Sequence, residues 1–520
     1  MEWLAALAGG AALTALSLET AGALQRGGYR PALDKRQRKN LLYLCLMSLA
    51  WAVLAGAAHA LIKKAGADWF GWLAAGLFVF SAAMFVFCTW ERSPQHIKFT
   101  PRALRLLCAL FLMGTLLCRA LIFFISLLSR GAAAWFLALP ILPLLVFPAL
   151  LLALLLALPV ERVIAARFIC KAKKKLAAMP FLIVIGVTGS YGKTSVKNMI
   201  AALLGEQAYA TPASFNTPMG ICRAISEMPA NTKYFVCEMG ARRQGDIAQL
   251  CGIVRPQVGV ITGIAPQHMQ TFKTLDAVIK TKGELMEELP CNGIAVFNGY
   301  DERCARMWRA CTLRQKFLTG EEGVHARDII VSSNGSTFDM CVSGSCYPCR
   351  LKLIGRHNIE NFCLAVQVCL ALGKSAAELA AKAENILPVP HRLQLIDAGR
   401  GITVLDDGYN SNVRGARAAL EALNAFSARR KVVAAQGFAE AGAEDERLNA
   451  ELGEQIAECA DIAVLIGVKA KFLLSGLQKR GFDPQNIYIY PTLDKARELF
   501  ARLLKEGDVL LIENDLPENL

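Results

Sequence analysis

The sequence predicts a helical membrane region followed by two α/β units, and three observations lead to this fold class. Five long apolar segments fill the first 160 residues. Directly afterwards, the segment FLIVIGVTGSYGKTS at 181–195 has the pattern of a buried strand, a phosphate-binding loop and the start of a helix. From residue 389 onward, strands and helices alternate over about 130 residues, which is typical of a compact α/β domain.

The positive charge of the chain is confined to its N-terminal part. The whole chain has a net charge of +14 and is 54% hydrophobic, which is too apolar for a wholly soluble protein. Up to Ala178 there are twenty Lys and Arg against six acids, whereas the rest holds 37 of each. Charges that flank membrane spans explain this distribution better than a nucleic-acid interface, so no nucleic-acid partner is expected.

The distribution of charge between the apolar segments predicts their orientation. The loop after the first segment has six Lys and Arg, the loop after the third has four, and six follow the fifth, whereas the alternate loops hold Lys63, Lys64 and Arg130 alone. By the positive-inside rule, the N-terminus lies outside and everything after Val160 lies in the cytoplasm. The chain is thus predicted to be a multi-pass protein of the cell membrane. The predicted spans cover 1–24, 41–62, 69–90, 104–128 and 133–160, and the basic stretch 161–180 is predicted to be a cytoplasmic linker.

The cysteines favour a reducing compartment, because seventeen of them, an odd number, are scattered through apolar segments. One tight cluster, Cys341, Cys346 and Cys349, leaves two interpretations open. These residues either bind zinc or are ordinary strand cysteines. Structural zinc usually needs a second close pair, and Cys304 and Cys311 have the wrong spacing, which favours the second interpretation.

The loop at 186–195 has the residues that phosphate binding needs. Its glycines allow backbone N–H groups to turn towards a polyphosphate, and the N-terminus of the following helix adds a favourable dipole. Lys193 can reach the terminal phosphates, and the Thr194 hydroxyl can hold Mg²⁺. Val187 occupies a position where the strict GxxxxGK[ST] pattern has glycine, so the spacing here is GxTGxxGKT.

Three more residues are candidates for a metal site. Glu238 ends the predicted strand KYFVCE, and an acid at the carboxyl end of a parallel strand is well placed for Mg²⁺, although a capping or surface glutamate is the alternative. His268 follows another strand, but a lone histidine is more often structural than a ligand. Lys282 lies on an amphipathic helix, where by itself it indicates a solvated surface.

Taken together, these motifs resemble those of the Mur ligases, ATP-dependent enzymes that form amide bonds in cell-wall synthesis. GVTGSYGKTS matches the GxTGxxGKT loop of the family, including the missing first glycine. CEMGARRQGDI resembles EMGxxxxGEI of the type that adds D-alanyl-D-alanine. ITGIAPQHMQTF, TKGEL, GRHNIENFCLA and DDGYNSN resemble further motifs of that type, in the same order and with similar spacing. The resemblance covers about two-thirds of the chain, from Phe181 nearly to the end.

The resemblance implies a P-loop central domain at 181–388 and a Rossmann-like C-terminal domain at 389–520. It also implies roles for single residues. Lys193 would bind the β- and γ-phosphates, Thr194 and Glu238 would hold one Mg²⁺, and His268 with a carbamylated Lys282 would hold a second. The catalytic residues would then be Lys193, His268 and Lys282. ATP would contact Gly189, Ser190, Gly192, Lys193, Thr194, Ser195, Asn358 with its neighbour His357, Arg392 and Asp406.

The activity that the resemblance implies is amide-bond formation through an acyl phosphate. The expected partners are ATP, a carboxylate acceptor carried by a nucleotide- or lipid-linked cell-wall precursor, an amino acid or dipeptide that supplies the amine, and the lipid bilayer. Two alternatives remain open. One is a ligase that extends a γ-linked or other polymer outside peptidoglycan. The other is an ATPase-driven membrane transporter, although the chain lacks an LSGGQ-like signature.

The sequence departs from the family pattern at three places. The five apolar segments stand where the D-alanyl-D-alanine-adding type has a small domain that binds the UDP-sugar. Asn449 stands where the family typically has histidine, and LIENDLPENL replaces a KGSR-like segment. The resemblance therefore supports the ATP site more strongly than either of the other two substrate sites.

Overall fold

The structure is a computed structural model of the full chain. It describes residues 2–26, 29, 35–65, 69–91, 97–129, 137, 140–212, 215–267, 269–408, 413–438 and 444–514. The chain divides into two compact units, Met1–Arg167 and Phe168–Leu520.

The described part of the first unit is helical. Its helices are α1 (Glu2–Arg26), α2 (Lys35–Ala65), α3 (Trp69–Glu91), α4 (Pro101–Ser129) and α5 (Leu142–Ala177), the last of which continues past the end of the unit. Each of the five predicted apolar segments overlaps one of these helices. The fifth differs most from its predicted bounds, because its helix begins at Leu142 and runs on through most of the predicted linker, with Pro148 and Pro159 inside it.

Glycines allow α1 and α4 to pack closely. A Cβ atom on Gly10 would lie 2.8 Å from the backbone nitrogen of Thr115, and one on Gly114 would lie 3.4 Å from the Cα of Gly10. Small residues at such a crossing allow two backbones to approach each other. Leu13 and Leu110 are fully buried beside them. At this crossing the two helices therefore pack through small and apolar residues.

Three of these helices are long and apolar enough to cross a bilayer: Gln37–Ile62, Pro101–Leu127 and Leu142–Ala177. A fourth candidate is the pair Trp3–Leu16 and Leu18–Gln25, which is bent by 47°. The segment Leu73–Thr89 is apolar but shorter. Among the described residues, length and composition therefore support three to four of the five predicted spans.

The second unit contains both predicted α/β domains. Its strands are β1 (Ile183–Thr188), β2 (Ala208–Ala210), β3 (Tyr234–Glu238), β4 (Val258–Ile261), β5 (Ile294–Phe297), β6 (Gln315–Leu318), β7 (His325–Ser332), β8 (Gly335–Val342), β9 (Ser345–Leu351), β10 (Gln394–Asp397), β11 (Thr403–Asp407), β12 (Lys431–Gly437), β13 (Ile462–Ile466), β14 (Ile487–Tyr490) and β15 (Val509–Asn514). Its helices are α6 (Lys193–Leu204), α7 (Pro218–Glu227), α8 (Asp246–Val254), α9 (Met269–Phe272), α10 (Leu275–Glu287), α11 (Glu302–Ala310), α12 (Arg356–Ala371), α13 (Ala376–Ala381), α14 (Val413–Asn424), α15 (Asp445–Cys459), α16 (Ala470–Lys479) and α17 (Leu493–Leu503).

The first large sheet is parallel and has the order β2-β3-β1-β4-β5-β6. Its central strand β1 is apolar and β-branched because helices cover both faces of such a sheet. Val187, at the position of the missing glycine, is fully buried within that strand. The sheet brings the carboxyl ends of β1 and β3 to one edge, where a ligand is expected to bind.

The predicted hairpins form the antiparallel sheet β7-β8-β9, and this sheet corrects the zinc hypothesis. Cys341 and Cys346 face each other on β8 and β9 and form a disulfide, with their Cα atoms 4.1 Å apart. Cys349 is buried and opposite Phe338. Zinc binding by these three cysteines is therefore wrong in this structure. The other fifteen cysteines are free, whereas this pair departs from the expectation of reduced thiols.

The second large sheet has the order β10-β11-β15-β12-β13-β14. All its neighbouring strands are parallel except the edge pair β10 and β11, which is antiparallel. The alternation of strands and helices predicted the five parallel strands. The edge strand β10 was not predicted, because it is short, mostly exposed and directly follows the proline-containing break at ILPVPHRLQ.

Candidate functional site

The phosphate-binding loop connects β1 to α6 and depends on glycine at two positions. Gly192 has φ 75°, a left-handed conformation that suits glycine, and caps the N-terminus of α6. Because this cap is a glycine, no cap side chain competes for the first N–H groups of the helix. Gly189 allows close approach, since a Cβ atom there would collide with the Thr262 hydroxyl. The loop thus presents backbone N–H groups and a helix N-terminus to an anion.

The lysine at the end of the loop is hydrogen-bonded to the loop backbone. Lys193 is 8% exposed, and its ammonium donates to the Gly189 carbonyl oxygen at 2.9 Å. Ser190 is anchored at one side, where its hydroxyl donates to the Ala265 carbonyl oxygen at 2.9 Å. The lysine is therefore already aligned with the loop that precedes it.

The structure brings together two residues that the sequence places in one metal site. The Thr194 hydroxyl donates to Glu238 Oε2 at 3.0 Å, at the carboxyl end of β3. Glu238 is 1% exposed. A hydroxyl and a carboxylate form an oxygen donor set that suits Mg²⁺.

Lys197 also contacts Glu238, although it is not one of the predicted site residues. Its ammonium lies 3.3 Å from Glu238 Oε2 and donates to the Thr211 carbonyl oxygen at 2.8 Å. Both charged side chains are almost completely buried. Lys197 could have been identified from its spacing of four residues from Lys193, because this spacing places both lysines on one face of α6.

Residues from both α/β domains line one cavity at this loop. They are Ser190, Tyr191, Gly192, Lys193, Thr194, Ser195, Glu238, Asn298, His357, Asn358, Glu360, Asn361, Arg392, Asp407, Arg414, Gly415 and Ala418. The predicted site residues that meet here are Ser190, Gly192, Lys193, Thr194, Ser195, Glu238, His357, Asn358 and Arg392. Gly189 is not among the residues of the described structure that line the cavity. Asp406 is not among the described residues that line it.

His357 and Asn358 enter the cavity from the start of α12. The Asn358 amide donates to the Ile354 carbonyl oxygen at 2.8 Å, which fixes its side chain. His357 Nδ1 is buried and has no hydrogen-bond partner in the described structure. Burial, assisted by the charge of Arg414, lowers the pKa of His357 to about 4, so its ring is neutral at pH 7. The ring therefore enters the cavity wall as an uncharged group whose Nδ1 has no partner among the described residues.

Tyr191 and Arg414 connect the loop to the second large sheet's domain. The Tyr191 hydroxyl donates to Asp301 Oδ2 at 2.5 Å, and Arg414 on α14 donates to the same hydroxyl. The guanidinium of Arg414 also lies 4.9 Å from the centre of the Tyr191 ring and donates to Glu360 at 2.8 Å. Burial is the main cause that raises the pKa of Tyr191, so its hydroxyl remains protonated. These four residues form a network that no local sequence pattern indicated.

The carboxylates at the end of β11 have different surroundings. Asp406 Oδ2 lies 2.7 Å from His391 Nδ1, while Asp407 lines the cavity and accepts a hydrogen bond from the Leu393 N–H at 3.0 Å. Burial raises the pKa of Asp407 to about 6, and the positive charge of Arg392 opposes that rise.

The predicted second metal site is only partly described. Lys282 is 2% exposed on α10 and does not line the cavity described above. His268 lies outside the described residues, so its pairing with Lys282 stays a prediction. Within the described ranges, no group of three or more His, Cys, Asp or Glu side chains is arranged to hold a metal ion.

The substitution at Asn449 has a structural explanation. Asn449 is fully buried on α15, and its oxygen accepts a hydrogen bond from the Phe438 N–H at 2.8 Å. Its amide donates to the backbone and side chain of Asp445 at 2.8 and 2.9 Å. Asn449 thus joins Phe438, which directly follows β12, to the first residue of α15.

Comparison with known proteins agrees with this architecture over both α/β domains. A family model described as the Mur ligase middle domain matches residues 187–369, and one described as the Mur ligase, glutamate ligase domain matches 391–513. A solved structure of MurF from Acinetobacter baumannii superimposes with a TM-score of 0.62 and 25% sequence identity. It covers 68% of this chain and 77% of its own.

The curated relatives are similar over part of their length. The UDP-N-acetylmuramoyl-tripeptide--D-alanyl-D-alanine ligase of Escherichia coli is 33% identical over 279 residues, which are 52% of this chain and 61% of that protein. The protein of the same name from Mycobacterium tuberculosis is 34% identical over 46% of this chain and 49% of its own. This chain thus spans about half to three-fifths of these relatives. The two matched domains, their order and their fold show that the chain belongs to the Mur ligase family.

Proposed function

We propose that this chain is an ATP-dependent ligase that forms an amide bond on a peptidoglycan precursor at the cytoplasmic face of the membrane. The observation that carries the proposal is the phosphate-binding loop. Lys193 bonds to the loop backbone, and Thr194 bonds to Glu238 at the end of β3. The curated relatives with the same two domains are named UDP-N-acetylmuramoyl-tripeptide--D-alanyl-D-alanine ligases. We therefore propose a carboxylate of such a precursor as the acceptor and an amino acid or dipeptide as the amine donor.

The proposed domain organisation follows the expected boundaries. Residues 1–160 form the membrane region and 161–180 the connecting basic stretch. Residues 181–388 bind ATP, and 389–520 form the domain that closes on it. The family matches at 187–369 and 391–513 lie inside the last two ranges and support this division.

The proposed reaction has two steps. The acceptor carboxylate attacks the γ-phosphorus of ATP, which releases ADP and leaves an acyl phosphate. The amine then attacks the acyl carbon, which releases phosphate and a proton and forms the amide. Lys193 stabilises the negative charge of the transferring phosphoryl group, together with the N–H groups of the loop from Gly189 to Ser195. Arg392 supplies a second cation from the other domain, and Asn358 with His357 contacts the base.

The residues present fit a divalent cation beside ATP. Thr194 and Glu238 would hold Mg²⁺, which neutralises phosphate charge when it is bound. Glu238 is kept in place by hydrogen bonds from Thr194 at 3.0 Å and from Asn216 at 3.4 Å. His268 and Lys282 are proposed for the second ion, with Lys282 as a carbamate because an anionic oxygen binds Mg²⁺ where an ammonium does not.

We expect Lys282→Ala to abolish ligation, with partial recovery on addition of formate or acetate. The small carboxylate replaces the oxygen atoms of the proposed carbamate. Turnover is measured in the full-length protein with and without the added anion. Lys280→Ala, on the same helix and exposed, is the matched control. A fully active Lys282→Ala variant would show that the carbamate assignment is wrong.

The proposed membrane location rests on the exposed faces of the N-terminal helices. Leu112 and Leu116 on α4 are each 63% exposed, and Leu127 is 67% exposed. Exposed apolar faces of this extent require a bilayer or a partner to cover them. The charge distribution of the loops supports an outside N-terminus and cytoplasmic ligase domains.

Product analysis of the full-length protein in detergent tests the proposed function. We expect ATP hydrolysis that requires both a UDP-linked muramoyl peptide and D-alanyl-D-alanine and that yields one amide per ADP. A lipid-linked muramoyl peptide is the second acceptor, and a γ-linked glutamyl peptide tests the non-peptidoglycan alternative. ATP turnover that is independent of any amine and coupled to solute uptake into vesicles would instead support a transporter and overturn the proposal.

A further inference from the structure

The segment that carries Arg392 has an unusual backbone. His391 has φ 60° and Leu393 has φ 45°, so residues in the left-handed region lie on both sides of Arg392. Residues other than glycine adopt this region at an energetic cost, and the cost is greatest for bulky side chains. Such strain persists only where neighbouring contacts hold it. It therefore requires a set of contacts that fix this turn.

Two adjacent carboxylates at the end of β11 provide these contacts. Asp406 Oδ2 accepts a hydrogen bond from His391 Nδ1 at 2.7 Å, and its other oxygen accepts one from the Gly408 N–H at 3.0 Å. Asp407 Oδ1 accepts one from the Leu393 N–H at 3.0 Å. The two strained residues on either side of Arg392 are thus each bound by one aspartate.

Further bonds tighten the same turn. The His391 N–H donates to the side-chain oxygen of Gln394 at 3.3 Å, and the Arg392 N–H donates to the Val389 carbonyl oxygen at 3.1 Å. Gln394 pairs with Asp406 in the antiparallel edge of the sheet. The turn is therefore built onto the sheet of the second domain.

The side chain that this turn presents faces the proposed nucleotide site. Arg392 lines the cavity at the phosphate loop and also a neighbouring one, lined by Ser195, Asn198 and Asn358. Asp406 lines neither of these two cavities in the described structure. Its side chain is instead bonded to the Gly408 N–H and to His391, whose side chain is 62% exposed.

We propose that Asp406 and His391 are positioning residues, which hold the left-handed turn that presents Arg392 to the phosphates of the nucleotide. Asp407 fixes the other end of the turn through the Leu393 N–H. This inference rests on the proposed ATP site. In this proposal Asp406 does not contact the ribose. It acts on nucleotide binding through the backbone conformation of residues 391–393.

A double-mutant cycle distinguishes the two roles of Asp406. We expect Asp406→Asn to weaken ADP binding about tenfold in the wild-type background, because Arg392 loses its fixed orientation. In a His391→Gly background, the same change should weaken binding less than about twofold, because the bond that Asp406 makes to His391 is already absent. The dissociation constant of ADP with Mg²⁺ is measured by calorimetry on the full-length protein in detergent.

Conservative variants of the exposed His391 provide a second measurement. Asn tolerates the left-handed region and its amide can donate to Asp406, so His391→Asn should retain affinity for ADP. His391→Ala has neither property and should lose affinity. Equal affinity of these two variants would overturn the proposal, even if Asp406→Asn were poorly folded.

Two controls distinguish a failure of the positioning role from a failure of the proposed ATP site. Asp508→Asn removes another buried acid, which directly precedes β15 and binds Arg430, and should lower stability while leaving ADP affinity unchanged. Lys193→Ala should lose ADP affinity if the proposed ATP site is right. If Lys193→Ala loses affinity but Asp406→Asn costs the same factor in both His391 backgrounds, the positioning role alone is wrong.

Discussion

Lys193→Ala is expected to lower the rate of ATP turnover by about a thousandfold or more. Lys193 is only 8% exposed, and its ammonium is already bonded to the Gly189 carbonyl oxygen at 2.9 Å, so little reorganisation is needed when it meets a phosphate. Alanine removes the charge but keeps the helical backbone of α6. The measurement is steady-state release of ADP by the full-length protein with saturating acceptor and amine.

Two further variants serve as controls for Lys193→Ala. Lys193→Arg keeps the positive charge but replaces a compact ammonium with a planar group, so partial turnover is expected. Lys280→Ala removes an exposed lysine of α10 and should leave turnover unchanged. Wild-type turnover in Lys193→Ala would mean that this loop does not bind the transferred phosphate, and the proposed function would then fail.

The phosphate loop could be predicted from sequence because its determinants are local. The apolar run before it, the glycines and the lysine follow each other within one strand, turn and helix. Even the apparent mismatch at Val187 has a local explanation, since this residue is a buried part of the strand. Glu238 was also found, because a short apolar strand delivered it to the expected edge of the sheet.

The contacts between distant segments could not be predicted in this way. Tyr191 and Arg414 are 223 positions apart, and neither belongs to a periodic pattern that points to the other. The bond between His391 and Asp406 likewise depends on an antiparallel edge strand that is four residues long. Sequence periodicity reports which face of an element is buried, but it does not report which side chain lies opposite.

The disulfide between Cys341 and Cys346 differs from these contacts, because the local sequence around it could have predicted the bond. The two cysteines flank the short turn VSGS, and a hairpin with that turn places them directly opposite each other. The count of cysteines favoured free thiols for the whole chain. At this one position the hairpin brings two cysteines together, and the total number of cysteines in the chain does not indicate this.

The second large effect is expected from Lys197→Met, which should destabilise the ligase domains by about 3 to 5 kcal/mol. Lys197 and Glu238 are 1% and 2% exposed, with 3.3 Å between the ammonium and Oε2. Methionine fills most of the space of the lysine stem but leaves the carboxylate of Glu238 buried without this counter-charge. The free energy of unfolding is measured by pulse proteolysis of the full-length protein in urea.

The reason for this cost is the removal of one partner rather than the strength of the pair. A buried ion pair contributes little net stability, because desolvation of both charges offsets their attraction, whereas a single buried charge keeps its full penalty. Lys197→Met combined with Glu238→Gln should therefore be more stable than Lys197→Met alone. Arg306→Met breaks an exposed pair with Glu302 on α11 and should leave the free energy of unfolding nearly unchanged. If the double variant is as unstable as Lys197→Met, the loss comes from packing or from the bond to the Thr211 carbonyl oxygen, and Lys197 does not act by balancing the charge of the proposed metal ligand.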